Sequence, residues 1–388
     1  MTPAGPRPAR APSGAFPPSR GGAPQRRRAH FRPPRRRTAA PPHRRTAARC
    51  TAAPPATPRL PIPAAACLST HPAPMPLLPH LDAPAGYQMA LDEACLLGLA
   101  GELCLRTYTF APSAWSLGFF QDLADVPAAN AALSAGYPVV RRATGGGAIH
   151  HQRELTFSLS APAAHPLFAG PISASYERIH HAVAAAIHAA LLEALTHPAL
   201  GPQSLAPALR PHLRPPAANL PAPATAPSPR SSPTPPPDPL LTLRRTTPLA
   251  SDQPATGLCF HDSSPLDLIA PGPTGAPAKL VGSAQRRTRS RILHHGSIKL
   301  APADHEPAVA TLIQAPHLPT FLPLLAHHLT QTLHPLLSPP PNSHPPTTAP
   351  IPPAATHWAT TRAPLFTSPA LLSRSPSALQ SLRQADLR

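Results

Sequence analysis

Lysine is almost missing from this 388-residue chain. Of 34 basic side chains only Lys279 and Lys299 are lysines. Arginine fills nearly every other cationic position, so Lys279 marks a place for a compact, rotatable ammonium rather than a planar fork. Charged residues are 13% of the chain and aromatics 4%, too few for the whole length to be ordinary globular material. No run approaches the roughly 18 apolar residues that span a bilayer, and no secretory h-region is present, so no membrane partner is expected. Cysteine is sparse as well. Cys50, Cys67, Cys95, Cys104 and Cys259 form no Cys-x-x-Cys pair and no even framework, which predicts free thiols in a reducing, cytoplasmic setting. Among 22 histidines the pairs His150-His151, His180-His181, His294-His295 and His327-His328 recur. None has metal-ligand spacing with a carboxylate or cysteine, so no metal site is expected.

What the chain has in excess is proline, 65 residues, about three times the usual share. Its distribution predicts one folded domain, flanked and interrupted by disorder, rather than two or three domains. Residues 1–74 hold 14 of the 34 basic side chains and none of the 16 acidic ones, so the remainder carries only +4 of the formal +18. An Arg/Pro tail of this kind reads as a solvated extension, or as one touching phosphates without sequence preference. It is Arg-rich and acid-free like a transit peptide, but its prolines break the amphipathic helix such a signal needs. Met75 stands where the composition becomes protein-like and is an alternative start to Met1.

From there the pattern becomes regular. Helices are expected over Gln88–Ala100, Ala124–Ala135, Ser175–Leu195 and Phe321–Leu337, the third with Ile179, Val183, Ile187, Leu191 and Leu195 on one face. Asp92 and Glu93 suit the positive end of the first. Strands are expected over Leu103–Phe110, Ser116–Gln121, Pro138–Arg142, Glu154–Ser160, Asp267–Ile269, Leu280–Ala284 and Ser297–Leu300. Residues 197–256 collapse into proline and read as a disordered insertion, and 339–388 as a mostly disordered tail. The folded part, 75–196 plus 257–338, is expected to be α+β, a mixed sheet flanked by helices.

Two islands could carry chemistry. Arg142-Ala-Thr144-Gly145-Gly146-Gly147 is not a Walker loop, because no Lys-Ser/Thr follows. Three glycines let backbone approach a ligand closely, with Arg142 adding charge for an anion, although a glycine triplet is also an ordinary turn. Lys279 precedes Gly282-Ser283-Ala284-Gln285, small residues that let a strand lie against a ligand while the ammonium stabilises developing charge. Cys259 lies just before. Free cysteine is most often a small buried hydrophobe, but a cationic neighbour favours the nucleophilic thiolate.

In order, Met89-Ala-Leu-Asp-Glu93, Arg142-x-Thr-Gly-Gly-Gly-Ala-Ile with His151 and Glu154-Leu-Thr-Phe-Ser, Cys259-Phe260, Lys279-Leu-Val-Gly-Ser-Ala-Gln and His295-Gly296-Ser-Ile resemble the biotin/lipoate protein ligase family. The resemblance is to its lipoate ligase and cysteine-dependent octanoyltransferase branch. It covers roughly 75–196 and 257–338. Gln152 stands where the family usually has aspartate, and His294 where transferases commonly have glutamine.

The resemblance implies a class II synthetase-like catalytic fold with a pocket for a medium acyl chain. It implies Cys259 and Lys279 as catalytic residues. Arg142, Thr144, Gly145, Gly146, Gly147, His151, Gly282, Ser283, Ala284, His295 and Gly296 would bind substrate. It further implies transfer of octanoyl from acyl carrier protein to a lysine of a lipoyl-carrier domain, such as glycine cleavage H protein or a 2-oxoacid dehydrogenase E2, through a Cys259 thioester and without a cofactor. The alternative on the same scaffold is lipoate–protein ligation with ATP and Mg2+. An alternative of another class, resting only on the arginine tail, is a basic nucleic-acid-binding protein without catalysis. No specific nucleic-acid partner is expected for the transferase.

Overall fold

The computed structural model describes residues 77–213, 240–244, 248–249, 251–253, 256–338, 348–375 and 377–379. In chain order the elements are β1 (Leu81–Ala83), α1 (Ala85–Leu97), β2 (Cys104–Phe110), β3 (Ala114–Leu117), α2 (Pro127–Ser134), β4 (Val139–Arg141), β5 (Ile149–His151), β6 (Glu154–Pro162), α3 (Ile172–Thr196), β7 (Thr242–Leu243), β8 (Leu268–Pro271), β9 (Pro277–Arg287), β10 (Arg291–Lys299), α4 (Leu318–Leu337), α5 (Pro353–Phe366) and α6 (Pro369–Leu372). Among the described residues seven strands form one sheet in the order β1-β2-β6-β10-β9-β8-β7, and β4-β3-β5 form a second. Both are mixed: β1/β2 and β3/β4 run parallel, the other pairs antiparallel. The expected α+β fold, a mixed sheet flanked by helices, is what the chain adopts.

Period-two alternation in β6 decides which chemistry faces which helix layer. Leu155, Phe157, Leu159 and Ala161 point into a core shared with Ile179, Val183, Ile187 and Leu191 of α3 and with Phe321, Leu325, Leu329 and Leu333 of α4. The intervening Glu154, Thr156, Ser158 and Ser160 are also buried, but they face α1 and carry hydrogen bonds instead. Ser158 bonds Asp92, and Ser160 bonds the Cys95 carbonyl. This polar side of the sheet is where the site is built. Among the described helices, α3 is long and apolar enough to cross a membrane, and half of that window is buried in the protein; its apolar face is the core contact just described.

Several expectations are corrected. α1 begins at Ala85, so Asp92 and Glu93 lie in its middle and are buried at 3% and 1% exposure. Tertiary partners rather than the helix dipole explain them. Residues 197–213, read as the start of the insertion, form 3₁₀ turns at Pro202–Ser204 and Pro207–His212. Leu200, Leu205, Leu209 and Leu213 insert into the core beside α3, because four leucines there offset the turn-forming prolines. Most of the remaining insertion, and residues 1–76, lie outside the described residues.

The tail also contains α5, whose Ala363 carbonyl oxygen would stand 2.5 Å from a Cβ at Gly86. Glycine in α1 is what admits that close crossing. Glu93 receives Trp358 Nε1 at 2.9 Å and Arg362 Nη2 at 2.8 Å, tying α5 to α1. α4 runs through Pro323 and Pro335. Its buried stripe of Phe321, Leu325, Leu329, Leu333 and Leu337 compensates for the missing amide donors.

Candidate active site

β3 and β5 pair side by side, and the chain between β4 and β5 is the glycine-rich loop. Arg142 organises it. Its Nε donates to Thr144 Oγ1 at 3.1 Å, Nη1 to the Ser116 carbonyl and hydroxyl at 3.3 and 3.1 Å, and Nη2 to the Gly145 and Gly147 carbonyls at 2.7 and 2.8 Å. All five guanidinium N–H groups therefore have acceptors within the protein. Arg142 lines the cavity, but it clamps the loop rather than standing open to a phosphate. Arg141 points the other way, from β4 to the carbonyls of Gly118, Gln121, Leu371 and Leu372, and burial pushes it down to about 10.

The loop seats the cysteine. Ala148 N–H donates to the Gly257 carbonyl at 2.8 Å, and Cys259 N–H donates back to the Ala148 carbonyl at 2.7 Å. Cys259 opens a 3₁₀ turn that ends at His261. Its carbonyl receives Lys279 Nζ at 2.7 Å, and its sulfur lies 3.6 Å from the same nitrogen. Lys279 extends from β9 and is held by Asp267 Oδ2 at 2.8 Å and by the Asp262 carbonyl at 3.2 Å. Burial opposes its charge, but Cys259 and Asp267 outweigh that and hold the ammonium above its usual value. It is thus a fixed cation beside the sulfur, not a base. A Cβ at Gly282 would meet Lys279 Cε at 2.9 Å and Cys259 Sγ at 3.2 Å, so the glycine leaves room for both groups.

A small pocket with about 30 Å³ of water-accessible space, partly open to solvent, lies beside this pair. Of the residues expected from sequence, Arg142, Gly146, His151, Cys259, Gly282, Ser283, Ala284, His295 and Gly296 line it. Thr144 and Gly145 stand behind its wall, as do Gly147 and Lys279. Thr144 reaches His295 Nε2 at 2.7 Å, and Gly147 packs on Cys259. Met89, Tyr108, Ser116, Ile149, Thr156 and Ser297 complete the lining. The argument from motifs did not single these six out for the site. They come from α1, β2, β3, β5, β6 and β10, a convergence made by sheet order rather than by sequence proximity.

Two histidine–carboxylate pairs stand in the wall. His295 Nδ1 meets Asp92 Oδ2 at 2.9 Å. Asp92 also takes Arg106 Nη1 at 2.9 Å, Tyr108 Oη at 2.8 Å and Ser158 Oγ at 2.9 Å. Burial raises the Asp92 carboxyl, but Arg106 and His295 together hold it below the usual range. His151 Nδ1 bonds Glu154 Oε1, while its Nε2 faces Ser116 Oγ at 2.8 Å. Glu154 is bound by Lys299 at 2.8 Å, and Lys299 by Glu306 at 2.6 Å. Against burial, Lys299 and His151 hold Glu154 far below the ordinary carboxylate range. Asp92 and Glu154 are buried at 3% and 5% exposure, and a buried carboxylate needs such partners.

The two departures from the family pattern are accommodated differently. Gln152 exchanges hydrogen bonds with Asp304 on the surface, side-chain amide to carboxylate at 2.9 Å and backbone N–H to amide oxygen at 3.0 Å. His294 is fully buried beside Gln285 Nε2 at 3.0 Å, and burial holds it well below its ordinary value. Among the described residues no group of three or more His, Cys, Asp or Glu side chains is placed to hold a metal.

Comparison with known proteins places this arrangement. Residues 84–198 match the family model of the lipoyl protein ligase A/B catalytic domain. The chain is 31% identical over 216 residues to an octanoyltransferase LipM of Macrococcus caseolyticus, covering 55% of this chain and 60% of that protein. It is likewise 31% identical over 215 residues to an octanoyltransferase LipM of Moorella thermoacetica, with the same coverage. The matched segment thus spans about 60% of the length of these relatives. A solved lipoate-protein ligase A bound with ATP aligns at 15% identity with a TM-score of 0.45, over 78% of this chain and 99% of that one. The family resemblance read from the motifs holds over residues 84–198, which are similar to the lipoyl protein ligase A/B catalytic domain.

Proposed function

We propose that this protein is an acyltransferase of lipoate metabolism. It takes octanoyl from acyl carrier protein and delivers it to a lysine of a lipoyl-carrier domain, such as glycine cleavage H protein or a 2-oxoacid dehydrogenase E2. The observation that carries the proposal is the Cys259 sulfur, 3.6 Å from the Lys279 ammonium, in the lining of a mostly apolar, partly open pocket. The octanoyltransferase name of the relatives supports the same reading.

The chemistry proceeds in two halves. The Cys259 thiolate attacks the octanoyl thioester carbonyl; the C–S bond to the carrier's thiol breaks, and a new thioester forms on Cys259. Lys279 stabilises negative charge, first on the attacking sulfur and then on the tetrahedral oxygen. The Cys259 N–H is engaged by Ala148, and the Lys279 ammonium by Asp267 and the Cys259 and Asp262 carbonyls, so Lys279 acts on the developing negative charge through its fixed positive charge. The target lysine amine then attacks the Cys259 thioester, forming an amide and releasing the thiol. Thioester exchange is near thermoneutral and the amide step is downhill, so no nucleotide is required.

The ligase alternative requires cations for a triphosphate. Arg142 is saturated by loop acceptors, Lys279 is paired with Asp267, and Lys299 with Glu154 and Glu306. Each of these cations is already partnered within the protein, which favours the nucleotide-free reading. The test is carrier modification. With octanoyl-acyl carrier protein, apo H protein and no ATP, the H protein should gain one octanoyl group, and Cys259→Ala should abolish the gain. Modification that needs lipoate plus ATP and survives Cys259→Ala would establish the ligase instead.

A further inference from the structure

The transfer just proposed leaves one proton without a destination. The target lysine must lose a proton from nitrogen as its C–N bond forms, and the cysteine must regain one as its C–S bond breaks. Lys279 is held as a cation and cannot accept it.

Ser116 and His151 both line the cavity with Cys259. Arg142 Nη1 donates to Ser116 Oγ at 3.1 Å, which turns the serine's own hydrogen toward His151 Nε2, 2.8 Å away. On the far side, His151 Nδ1–H is taken by Glu154. That bond fixes the neutral tautomer with Nε2 as acceptor. Hydroxyl, imidazole and carboxylate thus stand in line, the order used to move a proton off an attacking group.

Charge favours the same histidine. The single Lys299 ammonium serves two carboxylates, Glu154 at 2.8 Å and Glu306 at 2.6 Å. Burial pushes the Glu306 carboxyl up, toward its neutral form, so the carboxylate that a proton on His151 meets is Glu154, bonded to its Nδ1. His295 differs in position, since its hydroxyl partner Thr144 does not line the cavity.

We propose that Ser116 and His151 form the proton relay of the aminolysis half-reaction, an inference that rests on the thioester reading above. As the target nitrogen attacks the Cys259 thioester, its proton passes to Ser116 Oγ while the serine hydrogen passes to His151 Nε2. When the C–S bond breaks, the proton returns through Ser116 to the cysteine sulfur. Glu154 positions the imidazole. Burial, with Lys299 and Arg142 acting in the same direction and Glu154 against it, keeps His151 below its ordinary value, so it is unprotonated and ready at neutral pH.

The experiment measures both halves separately: octanoyl adduct formation from octanoyl-acyl carrier protein, then single-turnover discharge of the isolated adduct to a lipoyl domain. His151→Gln should slow discharge by about 10²–10⁴-fold, at least tenfold more than it slows adduct formation. Ser116→Ala, a smaller change, should show the same split. The acid limb of the discharge pH profile should vanish in His151→Gln. Equal slowing of both halves, loss of adduct formation in both variants, or unchanged discharge would overturn the relay. Absence of adduct on the wild-type protein would instead overturn the thioester reading.

Discussion

Gly147 lies so close to Cys259 that a Cβ on the glycine would stand 2.7 Å from the Cys259 nitrogen and 2.9 Å from its Cα. The glycine-rich loop is therefore a seat for the cysteine's backbone. Gly147→Ala must push the turn away, and a misplacement near 1 Å is enough to cost about 10²-fold in rate. Adduct formation on Cys259 should fall by that order while far-ultraviolet circular dichroism stays unchanged.

Lys279 and Asp267 form a pair whose side chains are only 3% and 6% exposed. Lys279→Ala leaves a buried carboxylate without its cation, a loss of about 3–5 kcal/mol. It should also slow acylation by about 10²–10³-fold, as removal of one oxyanion donor does. Lys279→Arg should not restore the rate, because a planar fork cannot fill the point-donor position above Gly282. Urea midpoints and adduct rates read the two effects apart.

Acid should destabilise the fold in two windows. Burial pushes His180 and His150 down to about 4. Between the unfolded value near 6.5 and that point the unfolded chain binds more protons, so stability falls as pH drops, by at most about 1.4 kcal/mol per unit for the buried His180. Asp92 and Glu154 have lowered folded values. Their contribution is present above the unfolded carboxylate range and is lost as pH falls through the folded values. Lys279 and Lys299 are raised, so theirs is present below their unfolded value and lost only in strong alkali. The buried Glu306 carboxyl is raised and acts in the opposite sense, against His180, His150, Asp92 and Glu154. Denaturant midpoints should still be lower at pH 3 than at pH 8, and a flat curve from 7 to 4 would contradict this account.

Arg362 and Trp358 carry the docking of α5 onto Glu93, whose side chain is 1% exposed. Arg362→Ala removes the charge partner and should cost about 3–5 kcal/mol, roughly 10 °C in Tm, read by a thermal melt. Arg362→Lys should recover part of it.

The contrast between Cys259 and Asp92 shows how much was legible beforehand. Cys259, Lys279 and the small residues Gly282, Ser283 and Ala284 lie in short segments whose composition announces close approach. Strand alternation likewise placed β2 and β6 nearly to the residue. Asp92 was assigned to a helix end, because its partners Arg106, Ser158 and His295 come from three strands whose adjacency is set only by sheet order. The same reason hid Ser116, 35 positions before His151. In the tail, the prolines of α5 outweighed its contacts in any local reading. Those contacts exist only once α1 presents Gly86 and Glu93.

The central claim is a thioester on Cys259. Intact-mass spectrometry after mixing the protein with octanoyl-acyl carrier protein, without ATP, tests it directly. The account predicts one octanoyl adduct that hydroxylamine removes and that Cys259→Ala does not form. An adduct that resists hydroxylamine or persists in Cys259→Ala, or no adduct on the wild-type protein, would contradict it.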